Sequence, residues 1–309
     1  MGELFYARDI YGKTLAELGK KDKNLVVLDA DLSGSTRTSL FAKEFPDRFF
    51  NFGVAEQNMM ASAAGLASCG KTVFVSTFAM FATARVLDQV RNTITYNHFN
   101  VKIVATHAGI TVGEDGSSHQ ALEDVAFLRA LPNMNVIVPA DPVEVKEVIE
   151  YVYKTPGPFY VRLGRAKTEV LDKKPNFSFN KAQVLREGKD VAIIACGIMV
   201  KEALLAYEKL KEKNITAYVI NISTIKPIDK DFISSLSSKV KGMVVCEEHS
   251  IIGGLGSAVS EVVCETKPCR IERVGTKDKF GQSGDPKDLL KEYGLTSEDI
   301  VLAVQRILR

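Results

Sequence analysis

The chain has 309 residues, 46% of them hydrophobic and 25% charged, a length and balance that suit two domains with full cores and argue against extensive disorder. Its 40 Lys and Arg against 38 Asp and Glu give a formal charge of +2, so no global field recruits nucleic acid or a membrane surface. No stretch reaches the roughly 18 apolar residues of a spanning helix, and Met1-Gly2-Glu3-Leu4 carries no signal pattern, so the expected location is the cytoplasm.

In chain order, Tyr6, Ile10, Leu15, Ala16 and Leu18 fall at near-helical spacing, and residues 24–29 read as a short buried strand. The polar loop 30–37 follows that strand's carboxyl end, where open α/β sheets place ligands. After Glu56 no charge interrupts residues 57–70, and Met59, Met60, Ala63, Ala64, Leu66 and Ala67 predict a helix buried on every side and ended by Gly70. Residues 72–76 form a β-branched strand that leads to Phe78 and Phe81. A strand at 101–107 empties into the glycine-rich loop 108–120. A helix through Leu122, Val125, Leu128 and Ala130, a strand at 135–139, a helix from about 142 to 153 capped by Asp141-Pro142, and a strand at 159–163 complete the first unit.

Residues 166–188 change character, with scattered Lys and Asp and a polar turn at 172–176. Beyond them, strands at 191–197, 217–220 and 242–246 alternate with helical stretches, one ending near Lys211. The expected fold is α/β, two domains each built on a mainly parallel β-sheet with helices on both faces: residues 1–166, a linker at 167–188, and residues 189–309. Gly253-Gly254-Leu255-Gly256-Ser257 could cradle an anion at a helix start or serve a tight turn and close packing, and packing is preferred. There is no first-strand Gly-x-Gly-x-x-Gly fingerprint of a dinucleotide site.

Several residues could carry chemistry. Glu56 at a helix start has an ordinary explanation in the helix dipole; a burial-raised pKa would instead let it donate a proton to a ring nitrogen. His107 and His119 bracket a loop whose glycines let the backbone approach a ligand, whereas His98 and His249 lie in polar surroundings that suit structural roles. The five cysteines contain no Cys-x-x-Cys pair, and no helical His-x-x-x-His spacing supports a metal site, so no metal ligand is assigned. Arg162 and Arg165 follow the strand at 159–163, a surface pair by default but also a good phosphate position.

Two motifs carry a resemblance. Gly53-Val54-Ala55-Glu56-Gln57, with the Ala/Gly-rich helix and Ser-Thr-Phe-x-x-Phe after it, resembles the pyrimidine-binding domain of transketolase and its relatives. Gly113-Glu114-Asp115-Gly116-Ser117-Ser118-His119-Gln120 is similar to the family's Gly-Glu-Asp-Gly-Pro-Thr-His-Gln, with Ser117 and Ser118 replacing Pro and Thr. The resemblance implies thiamine diphosphate and Mg²⁺ as cofactors. Glu56 would then activate the cofactor through its pyrimidine nitrogen, with Phe78 and Phe81 stacking on that ring; the cofactor-contacting tyrosine common in the family is Ala84 here. It further implies that His107, Asp115 and His119 meet the sugar, with His119 also in a catalytic role. Arg165 matches the phosphate-binding arginine, and Arg8 and Ser35 match two further phosphate contacts.

A complete enzyme of this kind also needs Gly-Asp-Gly followed by Asn-Asn, and the chain contains neither. The resemblance therefore implies the pyrimidine-binding and C-terminal domains of a divided transketolase. An N-terminal partner subunit would supply the diphosphate and metal ligands, in a dimer of heterodimers acting on sugar phosphates. The alternatives are a 2-oxo-acid dehydrogenase β-subunit, a deoxyxylulose-phosphate-synthase-like half, or a catalytically silent scaffold subunit.

Overall fold

The aliphatic run Leu25-Val26-Val27-Leu28 offers no polar side to water, and it forms a strand, Leu25–Asp29, buried at every residue, as a parallel strand covered on both faces must be. Alternate side chains point to opposite faces. Leu25 and Val27 pack with Tyr11, Leu15, Val145 and Ile149, on the side of helices Ala7–Lys21 and Pro142–Lys154. Val26 and Leu28 pack with Met59, Met60, Ala63 and Ala64 of helix Glu56–Ser68 on the other.

The computed structural model describes residues 3–171, 174 and 176–309. Within them the sheet around Leu25–Asp29 has seven strands in the order Thr224–Lys226, Asn135–Ile137, Phe159–Gly164, Val101–Ala108, Thr72–Ser76, Leu25–Asp29, Phe49–Asn51. Neighbours are parallel except at Thr224–Lys226, which runs antiparallel to Asn135–Ile137. A second sheet orders Arg270–Thr276, Gly242–Ser250, Val191–Ala195, Ala217–Asn221 and Gln183–Arg186, with only the last antiparallel. One of its faces meets helices Met199–Lys211 and Ser297–Leu308 through Ile193, Val200, Ala203 and Ile300. The other, through Ile194 and Val245, joins the apolar cluster that contains Val26 and Met60, so one core is continuous between the two halves. The α/β, mainly parallel architecture with flanking helices is the one the alternation of strands and helices calls for.

The structure adds three features. The helix expected to be buried all round has an open side: Gln57, Asn58, Ala61, Gly65 and Ser68 are exposed, because its bulky residues are confined to the sheet side and only small or amide side chains face outward. Within 167–188, Lys167–Glu169 pairs with Leu4–Tyr6 and Gln183–Arg186 is the second sheet's edge strand. Of the polar turn expected at 172–176, residues 172, 173 and 175 lie outside the described residues. Among the described residues no helix is long and apolar enough to cross a membrane.

Candidate active site

Parallel strands all end on the same side, and the polar loops that follow them gather there. Strand Thr72–Ser76 leads into Phe78. Strand Val101–Ala108 ends through His107 in the loop to His119, strand Phe159–Gly164 delivers Arg165, and helix Ala7–Lys21 starts at this side with Arg8. Buried Asp29 organises the loop after its own strand: it accepts from the Leu32 N–H and from the Thr36 and Thr38 hydroxyls at 2.7–2.8 Å. That fixes the turn carrying Ser35.

The result is a contiguous row. Glu56, buried at the start of its helix, accepts from Arg85 Nη1 at 3.1 Å to each carboxylate oxygen. The Arg85 guanidinium carbon lies 4.4 Å from the Phe81 ring centroid. Phe81 and Phe78 are near parallel, 6.0 Å apart and 16° between planes. Phe78 stacks on His107 at 3.8 Å, and the His119 ring stands edge-on to Phe81 at 5.4 Å. Arg8 Nη1 then donates to His107 Nε2 at 3.3 Å and to the Ser35 carbonyl at 3.4 Å.

Because a guanidinium has only donors, His107 Nε2 must accept, so its proton sits on Nδ1 and is donated to Thr106 Oγ1, 2.8 Å away. Burial, with the charges of Arg8 and Arg165 behind it, pushes the His107 pKa down to about 3, and the ring is neutral at ordinary pH. His107 also has φ +57, a left-handed conformation uncommon outside glycine, though histidine is among the residues that adopt it more readily.

Arg165 is held apart from this row. Its Nη1 donates to Glu114 at 2.7 Å and to the Val112 carbonyl at 2.6 Å, and this pairing lowers the Glu114 pKa. Arg165 and Arg8 share the wall of one cavity of about 530 Å³. Asp115 is exposed on the loop. Among the described residues, no group of three or more His, Cys, Asp or Glu is placed to hold a metal ion. Arg162 is buried and spends its guanidinium on Asp124 and on the carbonyls of Ala121 and Glu248, so a surface role is ruled out.

The sequence profile of the transketolase pyrimidine-binding domain matches residues 5–170, and that of the transketolase C-terminal domain matches residues 180–300. The chain belongs to the transketolase family. It is 54% identical to a protein of Methanocaldococcus jannaschii named provisionally as a transketolase C-terminal section, over 94% of this chain and 92% of that one. It is 40% identical to a 6-deoxy-6-sulfo-D-fructose transketolase subunit of Clostridium sp. strain MSTE9, covering 99% and 95% of the two chains. Among solved structures, a split-gene transketolase described as an inactive β4 tetramer superposes with a TM-score of 0.91 at 49% identity, covering 98% of each chain.

Transketolases depend on thiamine diphosphate, and the residues here fit its pyrimidine. Glu56 accepts from a single donor, Arg85 Nη1, whose guanidinium lies over the Phe81 ring, so a buried carboxylate and an aromatic face stand together as an aminopyrimidine requires. Sequence reasoning places Glu56 in a dry pocket and misses this arginine. The only local signal is its place a few residues beyond the Ser-Thr-Phe-x-x-Phe segment.

Proposed function

We propose that this chain is the pyrimidine-side subunit of a divided, cytoplasmic transketolase that moves a two-carbon ketol unit from a ketose phosphate to an aldose phosphate. Its domains are 1–166 for pyrimidine binding and 189–309 as the C-terminal domain, joined by 167–188. The observation that carries the reading is the unbroken row from Glu56 through Arg85, Phe81, Phe78 and His107 to Arg8. The relatives of nearly equal length are named as a section or subunit of transketolase, among them one of the subunits of an apulose-4-phosphate transketolase. Those names support an N-terminal partner subunit; to that partner we assign the diphosphate and Mg²⁺ ligands, and to the assembly the form of a dimer of heterodimers.

When bound, thiamine diphosphate supplies the carbon nucleophile that accepts and passes on the two-carbon unit. Everything else falls to residues of this chain and its partner. Glu56 holds a proton against a ring nitrogen, in a site where burial magnifies each electrostatic contact. Phe78 and Phe81 define the plane in which that ring lies. Neutral His107, oriented by Arg8 and Thr106, and His119 meet sugar hydroxyls, and Asp115 selects their configuration. Arg8 and Arg165, with Ser35 beside them, grip the distal phosphate; Arg165 does so by exchanging Glu114 for the ligand.

Co-expression with the protein that carries Gly-Asp-Gly and Asn-Asn tests the reading. The pair should bind thiamine diphosphate with Mg²⁺ and transfer the ketol unit, while this chain alone should do neither. Tight Mg²⁺-dependent binding by the isolated chain, or a cofactor-loaded pair that turns over no ketose phosphate, would overturn it.

A further inference from the structure

The loop between His107 and His119 makes turns of its own, Gly116 N–H to the Gly113 carbonyl and His119 N–H to the Gly116 carbonyl, and is tied by Arg165 at Val112 and Glu114. Its base closes where the Gly109 N–H donates to the Ala121 carbonyl at 3.0 Å, and a further set of contacts that fix it comes from the other half of the chain. Buried Glu248, near the end of strand Gly242–Ser250, accepts the Thr111 N–H at 2.7 Å. Its carboxylate lies so flat against Gly109 that a Cβ there would sit 2.2–2.5 Å from it, at a φ of +85 that already favours glycine. Further along, the Gln120 side-chain amide donates to the Gln282 carbonyl at 2.9 Å and back to the Ile110 carbonyl at 3.1 Å. Gly281 and Gly116 admit equally close approach: a Cβ would come 1.7 Å from Gln120 Oε1 in the first case and 2.6 Å from Ser283 Oγ in the second. Arg162 ties the same region from below, donating to the Glu248 and Ala121 carbonyls at 3.0 Å each.

We propose that Glu248 of the C-terminal half is a positioning residue for substrate: by holding the Thr111 amide it sets where the loop residues Asp115 and His119 stand. This rests on the reading of the 107–119 loop as the sugar-binding loop. The C-terminal half thereby acts on the reaction through the shape of this loop. Displacing such a loop by about 1 Å is enough to cost on the order of 100-fold in rate.

Two measurements on Glu248→Ala and Glu248→Gln test it. In the full chain without any partner, amide exchange of the peptide spanning 107–120 should rise at least about tenfold in Glu248→Ala and stay near the unmodified value in Glu248→Gln, whose side-chain oxygen still accepts the Thr111 N–H. With the partner and cofactor present, Glu248→Ala should raise the donor ketose KM by about 10- to 100-fold while thiamine diphosphate affinity stays within about threefold. Glu248→Gln should restore the KM. Unchanged loop exchange in Glu248→Ala, an unchanged donor KM, or equal losses in both variants would overturn the proposal. If the unmodified pair fails to turn over a ketose phosphate, the functional reading falls, and the exchange measurement alone decides whether Glu248 holds the loop.

Discussion

The ion pair between Arg85 and Glu56 occupies the ring face and the carboxylate proposed to hold the pyrimidine, so cofactor must displace it. At 3.1 Å and an effective dielectric of about 20, the bare Coulomb attraction is about 5 kcal/mol. Glu56 is 5% exposed but the Arg85 side chain is 46% exposed, and screening plus the freedom regained by a released arginine reduce that to about 1.5 kcal/mol, above the range of fully exposed pairs. Arg85→Met removes the charge and keeps the length of the side chain. Thiamine diphosphate binding to the assembled pair should then tighten about tenfold, since about 1.4 kcal/mol is one decade. Calorimetry is the suitable assay, because the chain contains no tryptophan and any indole signal would come from the partner alone. Unchanged or weaker binding in Arg85→Met would refute the competition and make Arg85 a structural partner of Glu56 or a ligand of the cofactor itself.

Glu56→Gln in the assembled pair should slow hydrogen–deuterium exchange at the cofactor's thiazolium carbon by roughly 10²- to 10⁴-fold, followed by NMR; an unaltered rate would leave Glu56 only its helix-start role. Arg165→Ala should raise KM for a phosphorylated ketose by about 10- to 100-fold, spare kcat, and hardly affect the unphosphorylated analogue; equal losses on both substrates would assign Arg165 to holding the loop through Val112 and Glu114. His107 titrates far lower folded, at about 3, than the ordinary histidine value of 6.5, so the unfolded chain binds the extra proton and stability falls as pH drops from about 6.5 towards 3. Urea unfolding at pH 7, 6 and 5 should show that dependence reduced in His107→Gln by up to about 1.4 kcal/mol per pH unit; identical slopes would contradict the burial of a neutral ring.

The parts of this fold readable in the sequence are those written in local pattern. The central strands announce themselves as aliphatic runs, and helix Pro142–Lys154 by its Asp141 cap, whose side chain accepts the Glu144 N–H at 2.9 Å. Strands Gln183–Arg186 and Thr224–Lys226 do not, being short, partly polar edge strands that exist because a neighbour offers them a register. The same limit applies at the site. His107, His119 and Arg165 stand in recognisable motifs. Arg85 reaches Glu56 across 29 residues and Glu248 reaches Thr111 across 137, and no periodicity records such contacts. The outward face of helix Glu56–Ser68 escapes sequence reading for a related reason: absence of charge reads as burial, although small neutral residues can equally line a surface left open in this chain.

Strand Thr224–Lys226 belongs by sequence to the second half and by hydrogen bonding to the first sheet. A fragment ending before residue 180 would keep six strands of the first sheet but leave Asn135–Ile137 at its edge, and the apolar cluster that holds Tyr160, Val136 and Val138 would lose Ile194 and Ile222. Such an edge invites pairing with another chain. The shared core predicts that the two halves unfold together: a protease cut between residues 176 and 180 should nick the chain without releasing either half, and the pieces should separate only under conditions that unfold both.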